Sequence, residues 1–160
     1  MKCLFSVSLL SFAAALTAVS ASPAAEPRLP IRAGMIGLDT SHAVEFAKLL
    51  RDPKAAGDLK DLKIVAAYPG GSPDIPASRA HVKEYTKQMR GMDVEIVDSI
   101  DALLARVDVV MLMSVDGRPH LAQARPVIAA GEPLFIDKPI TASLADAAEI
   151  FRLARVRRVP

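Results

Sequence analysis

The chain has 160 residues, of which 51% are apolar, 24% charged and 4% aromatic, with eight Gly, twelve Pro and a formal net charge of +2. That length makes one domain, the small mixed charge excludes a nucleic-acid footprint, and the apolar share excludes a disordered chain. A collagen, a coiled coil and a disulfide scaffold are excluded by the same counts, since a single Cys is present.

Residues 1–21 read as a secretory signal peptide. Lys2 supplies the positive n-region, Leu4 through Val19 an apolar h-region, and Val19-Ser20-Ala21 the small residues before a cut. Serines dilute this stretch and Ser22-Pro23 follows at once, so it is too short and too polar for a membrane span. The expectation is export, to a periplasm or outside the cell, with no stable membrane span after cleavage. Cleavage would remove Cys3, leaving no thiolate nucleophile or zinc-thiolate ligand. Residues 22–30, with three prolines, read as an extended linker, and 31–160 as the folded domain.

From Ile31 the texture alternates between short apolar runs and amphipathic stretches. Ile31 to Gly37 reads as a strand and Thr40 to Arg51 as a helix with apolar residues at 43, 44, 46, 47, 49 and 50. Lys63 to Tyr68 is a second strand, stopped by Pro69-Gly70-Gly71-Ser72-Pro73. A helix over Ser78 to Arg90 has a solvated outer face. Val94 to Val97 is a third strand and Ser99 to Val107 a helix capped by Asp98 or Ser99. Val109 to Met113 is the most apolar stretch after the linker, which suits a central strand buried on both faces. Pro119 to Ala130 is a helix with Pro in its first turn and Gly131 past its end. Pro133 to Ile136 is a fifth strand, and Ser143 to Arg157 a last helix with Asp146 three residues after its cap. Five strand-helix units in sequence predict an α/β fold: a doubly wound parallel sheet of Rossmann type, with its ligand at the carboxyl ends of the strands.

Polar residues gather at those ends: Asp39, Thr40, Ser41 and His42 after the first strand, Asp116, Arg118 and His120 after the fourth, Asp137 and Lys138 after the fifth. Helix capping accounts for part of this set. Gly37-Leu38-Asp39-Thr40-Ser41-His42 stands where a dinucleotide fold writes G-x-G-x-x-G, and keeps only the first glycine. Asp39 then puts a carboxylate where the pyrophosphate would lie. The second strand ends in Tyr68 instead of the acid that meets a free ribose 2′-hydroxyl, and Gly70, Gly71 and Ser72 could offer amides to a 2′-phosphate. Lys138, fixed from behind by Pro139, could hold its ammonium in a semi-buried cleft and act on a hydroxyl. No i, i+4 His pair or Cys/His cluster points to a metal.

With these residues assembled, 31–153 resembles the N-terminal domain of the glucose-fructose oxidoreductase, inositol dehydrogenase and rhizopine-type family, Gfo/Idh/MocA. The resemblance rests on Val107-Asp108-Val109-Val110-Met111-Leu112-Met113-Ser114, then His120, then Ala129 to Pro139 ending in Asp137-Lys138-Pro139, the counterpart of the family's E-K-P. It implies an NAD- or NADP-binding domain of an oxidoreductase acting on a sugar or polyol, with Lys138 as the catalytic lysine. It also implies cofactor-binding roles for Gly37, Leu38, Asp39, Thr40, Ser41 and His42, for Ser114, Val115, Asp116 and His120, and for Asp137 and Lys138. Members of the family carry a C-terminal substrate domain, and a chain ending at Arg157-Arg158-Val159-Pro160 reads as the cofactor half alone, expected to bind without turnover. A second reading, prompted by Asp39, is a nucleotide- or sugar-binding module that has lost dinucleotide-dependent redox activity.

Overall fold

The computed structural model describes residues 30–54 and 57–160. The expected signal peptide and all but the last residue of the expected linker lie outside the described residues. Five strands run in chain order: β1 (Ile31–Ile36), β2 (Leu62–Tyr68), β3 (Glu95–Ile96), β4 (Val109–Leu112) and β5 (Leu134–Ile136). They form one parallel sheet in the order β3-β2-β1-β4-β5. The helices between them are α1 (Ser41–Arg51), α2 (Pro76–Arg90), α3 (Ile100–Leu104) and α4 (His120–Ala130), with α5 (Leu144–Arg157) last; a 3-10 turn, Gly57–Asp61, leads into β2. The order reverses between β1 and β4. The two helices that follow β1 and β2 therefore cover one face, and those that follow β3, β4 and β5 the other.

Two core layers follow from the period-two alternation of the strands. On the α1 and α2 face, Ala33, Met35, Met111 and Met113 pack against Ala43, Ala47, Leu50 and Met89. On the other face Ile36, Val110 and Leu112 meet Leu103, Ala124, Val127, Ile128 and Ile150. With no Trp and few Phe, these layers are built from aliphatic side chains and Met, each fully buried one worth about 1.5–3 kcal/mol. Gly34 leaves room for the crossing on the second face: a Cβ there would lie 3.0 Å from Leu103 and from Val107.

The expected elements are all present, with edges moved where local chemistry intervenes. Thr40, Ser99 and Ser143 stand one residue outside their helices as N-caps, their hydroxyls accepting from the amides of His42, Ala102 and Asp146. The third strand shrinks to Glu95–Ile96, because only Ala66 and Ala67 of the neighbouring strand pair with it. The short α3 ends three residues before the expected Val107. Arg106 turns back there to bond Ala102 O at 2.7 Å and Glu95 at 2.9 Å, and Val107 drops into the core. Gly131 closes α4 at φ 86°, the left-handed cap that glycine takes without penalty.

Candidate functional site

The ends of β1 and β4 open the crevice that a reversal of strand order leaves at the edge of such a sheet. Gly37 begins it at φ 91°, and a Cβ on it would lie 2.4 Å from Ser114 N and Oγ. Only glycine lets the two strand ends approach this closely. The amides of Gly37 and Leu38 donate to Tyr68 O and Pro69 O at 3.0 and 2.7 Å, which extends the β1–β2 ladder past the strands. Leu38 is wholly buried and belongs to the core beneath the crevice, not to its surface.

Asp39 does not project its charge where the sequence placed it. The residue is 1% exposed, one carboxylate oxygen accepting from Val115 N at 3.1 Å and the other from the Ser78 hydroxyl at 2.7 Å. The carboxylate thus ties the β1 turn to the β4 loop and to the start of α2, and both its oxygens are occupied. Thr40 spends its hydroxyl on capping α1, so Ser41 and the backbone of that first turn are what the helix end presents. A helix N-terminus favours anionic groups.

After β4, Ser114 donates to Gln123 Oε1 at 3.1 Å and is buried. His120 is wholly buried too, its ring nitrogens each 2.8 Å from a backbone carbonyl oxygen, that of Ser114 and that of Ile140. It therefore pins the β4 loop to the segment after Lys138 and does not face the crevice as a ligand contact. Gly117 permits the same approach, since a Cβ there would lie 2.6 Å from the backbone of Thr141. Asp116 accepts from the Ser72 hydroxyl at 2.6 Å and from Arg118, whose guanidinium also grips Asp74 at 2.8 Å. The Arg118 hydrogen bond, helped by Ser72, holds the Asp116 carboxyl well below the usual carboxylate range.

Beyond β5, Asp137 meets His42 of α1, with Oδ2 2.6 Å from Nδ1. Burial pushes the Asp137 carboxyl up, but the His42 hydrogen bond, the Lys138 amide and the charges of His42 and Lys138 bring it below its ordinary value. Lys138 itself is exposed, a correction to the semi-buried ammonium expected above: the strand ends at Ile136, two residues before it. The Ser72 amide, named above for a 2′-phosphate, donates instead to Ser78 Oγ at 2.8 Å; the Ser72 hydroxyl contact, Asp74 and Ser78 were not anticipated. Ser72 and Asp74 lie in a Pro/Gly-rich loop with no periodicity, and Ser78 reads as an ordinary first-turn residue of α2. Among the described residues no three His, Cys, Asp or Glu side chains gather as a metal site.

A cavity of about 260 Å³ sits between the starts of α1 and α2, lined by Asp39, Thr40, Ser41, Ser78, His81, Tyr85, Val115 and Asp116. The rings of His81 and Tyr85 stack at 5.3 Å and give it an aromatic wall. These residues fit a nicotinamide dinucleotide. Gly37 clears the backbone approach, the first turn of α1 faces the place of the phosphates, and the Asp39 carboxylate is drawn inward by its two donors.

The sequence model of the Gfo/Idh/MocA oxidoreductase family, described as its NAD-binding Rossmann fold, matches residues 31–159. None of the curated proteins matches the chain. Among solved structures it is similar to an oxidoreductase from Agrobacterium radiobacter in complex with NAD+, L-tartaric acid and magnesium, at 20% identity and TM-score 0.61 over 81% of this chain and 34% of that one. It is similar also to UDP-N-acetylglucosamine 3-dehydrogenase from Acidithiobacillus ferrooxidans, at 20% identity and TM-score 0.60 over 82% and 36%. A third is biliverdin reductase from Synechocystis with biliverdin and NADP+, at 20% identity and TM-score 0.59 over 81% and 36%. At these identities the likeness concerns the fold, and the chain spans about a third of the length of each. The glycine cradle, the reversed strand order and the D-K-P turn thus meet in one place because the chain belongs to the Gfo/Idh/MocA oxidoreductase family, as its NAD-binding Rossmann domain.

Proposed function

We propose that the chain serves an exported oxidoreductase that exchanges hydride between a nicotinamide dinucleotide and a carbon of a sugar or polyol. The observation that carries this reading is the meeting of three strand ends at the switch point: the Gly37 turn, the Ser114–Asp116 loop, and the Asp137-Lys138 end of β5. A dinucleotide bound there supplies the hydride acceptor; the chain supplies position and proton handling. The first turn of α1 takes the phosphates, the His81–Tyr85 wall and Val115 border the nucleotide half, and exposed Lys138 is free to orient or deprotonate a substrate hydroxyl. A sugar substrate is supported by the nucleotide-sugar dehydrogenase among the similar structures.

Titration of the protein with NADH and NADPH, read by cofactor fluorescence, tests this: saturable binding below millimolar concentration is expected, and none at millimolar would overturn it. Export is tested by sequencing the N-terminus of protein recovered outside the cytoplasm, where a start at Ser22 is expected. A second reading, a binding module without redox activity, rests on Asp39 standing at the second glycine position of the G-x-G-x-x-G pattern, beside Asp116 at the same cavity. Asp39→Gly separates the two: a large gain in dinucleotide affinity would favour an impaired turn and the second reading.

A further inference from the structure

We infer that His42 and Asp137 form a proton-accepting dyad whose imidazole Nε2 is presented to the nicotinamide end of the crevice, a second proton-handling group beside Lys138. This rests on the proposed function for its substrate class. The two residues stand 95 positions apart and occupy unusual places. His42 fills the last position of the G-x-G-x-x-G pattern, and Asp137 stands one residue before the lysine of the D-K-P turn. The third glycine of that pattern serves close helix packing, so a histidine there needs a place for its ring. That place is the end of β5.

The geometry defines the ring's chemistry. An ionised carboxylate only accepts hydrogen bonds, so at 2.6 Å the His42 Nδ1 must be the donor. The neutral ring then carries its lone pair on Nε2, which makes no hydrogen bond among the described residues. The pair is asymmetric in exposure, with the Asp137 side chain 14% exposed and that of His42 42%. The carboxylate is sheltered and the imidazole has an open edge, the arrangement in which a buried acid orients a base that works at a surface. Both partners are held from behind. The His42 amide bonds to Thr40 Oγ1, the Asp137 amide to Leu112 O, and Phe46 meets Phe135 edge-on at 6.2 Å one turn further along α1. The lowered pKa of Asp137 agrees with an anion awaiting a cation.

In the oxidation direction, a bound nicotinamide would accept the substrate's carbinol hydrogen with its electron pair, which leaves the chain's own residues the hydroxyl proton to handle. The O–H bond breaks, the proton passing to His42 Nε2, and the carbon–oxygen bond becomes a carbonyl. The imidazolium so formed lies against Asp137, which stabilises it until water takes the proton away. Lys138, exposed beside the pair, is placed to hold the hydroxyl oxygen and stabilise the negative charge that develops on it.

The test uses the protein with uniform 15N label. Ring ¹H–¹⁵N correlation spectra at a pH where His42 is neutral are expected to show hydrogen on Nδ1 in the wild type and on Nε2 in Asp137→Ala, with His42→Gln assigning the signal. Saturation with NAD+ is expected to shift the His42 Nε2 resonance. A wild-type ring with hydrogen on Nε2 overturns the dyad, and so does an Nε2 signal unmoved by NAD+ when NADH fluorescence on the same sample shows binding. Absence of NADH binding in that fluorescence measurement overturns the cofactor reading itself, whatever the tautomer.

Discussion

The two ends of the crevice are built differently. At the β1–β4 end the buried polar side chains are spent inside the protein, Asp39 on Val115 N and Ser78, Ser114 on Gln123, His120 on two carbonyls, and Ser41 is left facing out. At the β5 end Lys138 is exposed, His42 is half open, and apolar Phe135, Ile140 and Leu144 remain 49%, 42% and 87% exposed. The first end is a rigid cradle whose buried polar groups are satisfied whether or not a ligand is present. The second is a reactive rim, with groups left free to act. A dinucleotide needs exact placement of its phosphates and freedom around its ring, and the contrast matches that division of labour.

The contrast is broken most severely by removing the rim's chemistry. Assayed within the oxidoreductase that the domain is proposed to serve, with a sugar or polyol that drives NAD+ reduction, Lys138→Ala is expected to lower kcat by about 10²–10⁴-fold, the usual worth of a positioned acid-base group, while the NADH dissociation constant stays within about twofold. Because Lys138 is exposed, folding should be unaffected, so thermal melting separates this result from damage. A variant with unchanged kcat would assign the proton chemistry elsewhere.

On the cradle side the largest effect is expected from Gly37→Ala. The φ of 91° and a Cβ 2.4 Å from Ser114 backbone combine conformational strain with a steric clash that backbone must relieve. A cost of about 3 kcal/mol is expected, lowering Tm by about 10 °C. Asp39→Ala leaves the Ser78 hydroxyl and the Val115 amide without their acceptor in a buried place and should cost about 1–3 kcal/mol; Asp39→Asn, which keeps an acceptor, less. If the cradle reading is right, NADH affinity falls in both variants, because the β1 turn and the β4 loop lose their tie. An affinity gain would return Asp39 to the role of an obstacle.

The difference between the two ends also separates what the residues disclosed in sequence from what they hid. The strand-helix alternation is written in local periodicity, and Val109 to Met113 could be placed at the centre of the sheet from its unbroken apolarity. Caps at Thr40, Ser99 and Ser143 follow from side-chain oxygens placed before helices, though by one residue they moved the starts. Asp39 could not be read this way. A carboxylate beside a phosphate site suggests repulsion until one knows that Ser78 and Val115, 39 and 76 residues away, occupy both its oxygens and hold it inward. His42 and Asp137 were each named as cofactor contacts, but their pairing depends on how α1 lies against β5, which no local signal carries. Lys138 was misplaced in depth for the same reason: an apolar strand marks burial along its length, not at the turn beyond it.

The smallest effect expected concerns the bridge over the outer edge of the crevice, where Arg118 joins Asp116 to Asp74. Arg118 and Asp74 are exposed, so water and salt screen the bridge and little stability comes from it at neutral pH. Its signature is instead pH dependence. Asp116 and Asp74 both titrate below their ordinary value because the Arg118 guanidinium bonds their charged forms. A carboxyl lowered in the folded state stabilises fully above its unfolded pKa, near 3.9, and that contribution is lost as the pH falls through the folded value. Melting curves of wild type and Arg118→Ala should therefore lie slightly apart at pH 6 in low salt and converge as the pH drops below about 4, and 0.5 M salt should narrow the gap at pH 6. A gap that persists unchanged into acid would show that Arg118 acts through packing of its stem, and would extend the rigid cradle outward to include the β4 loop's outer edge.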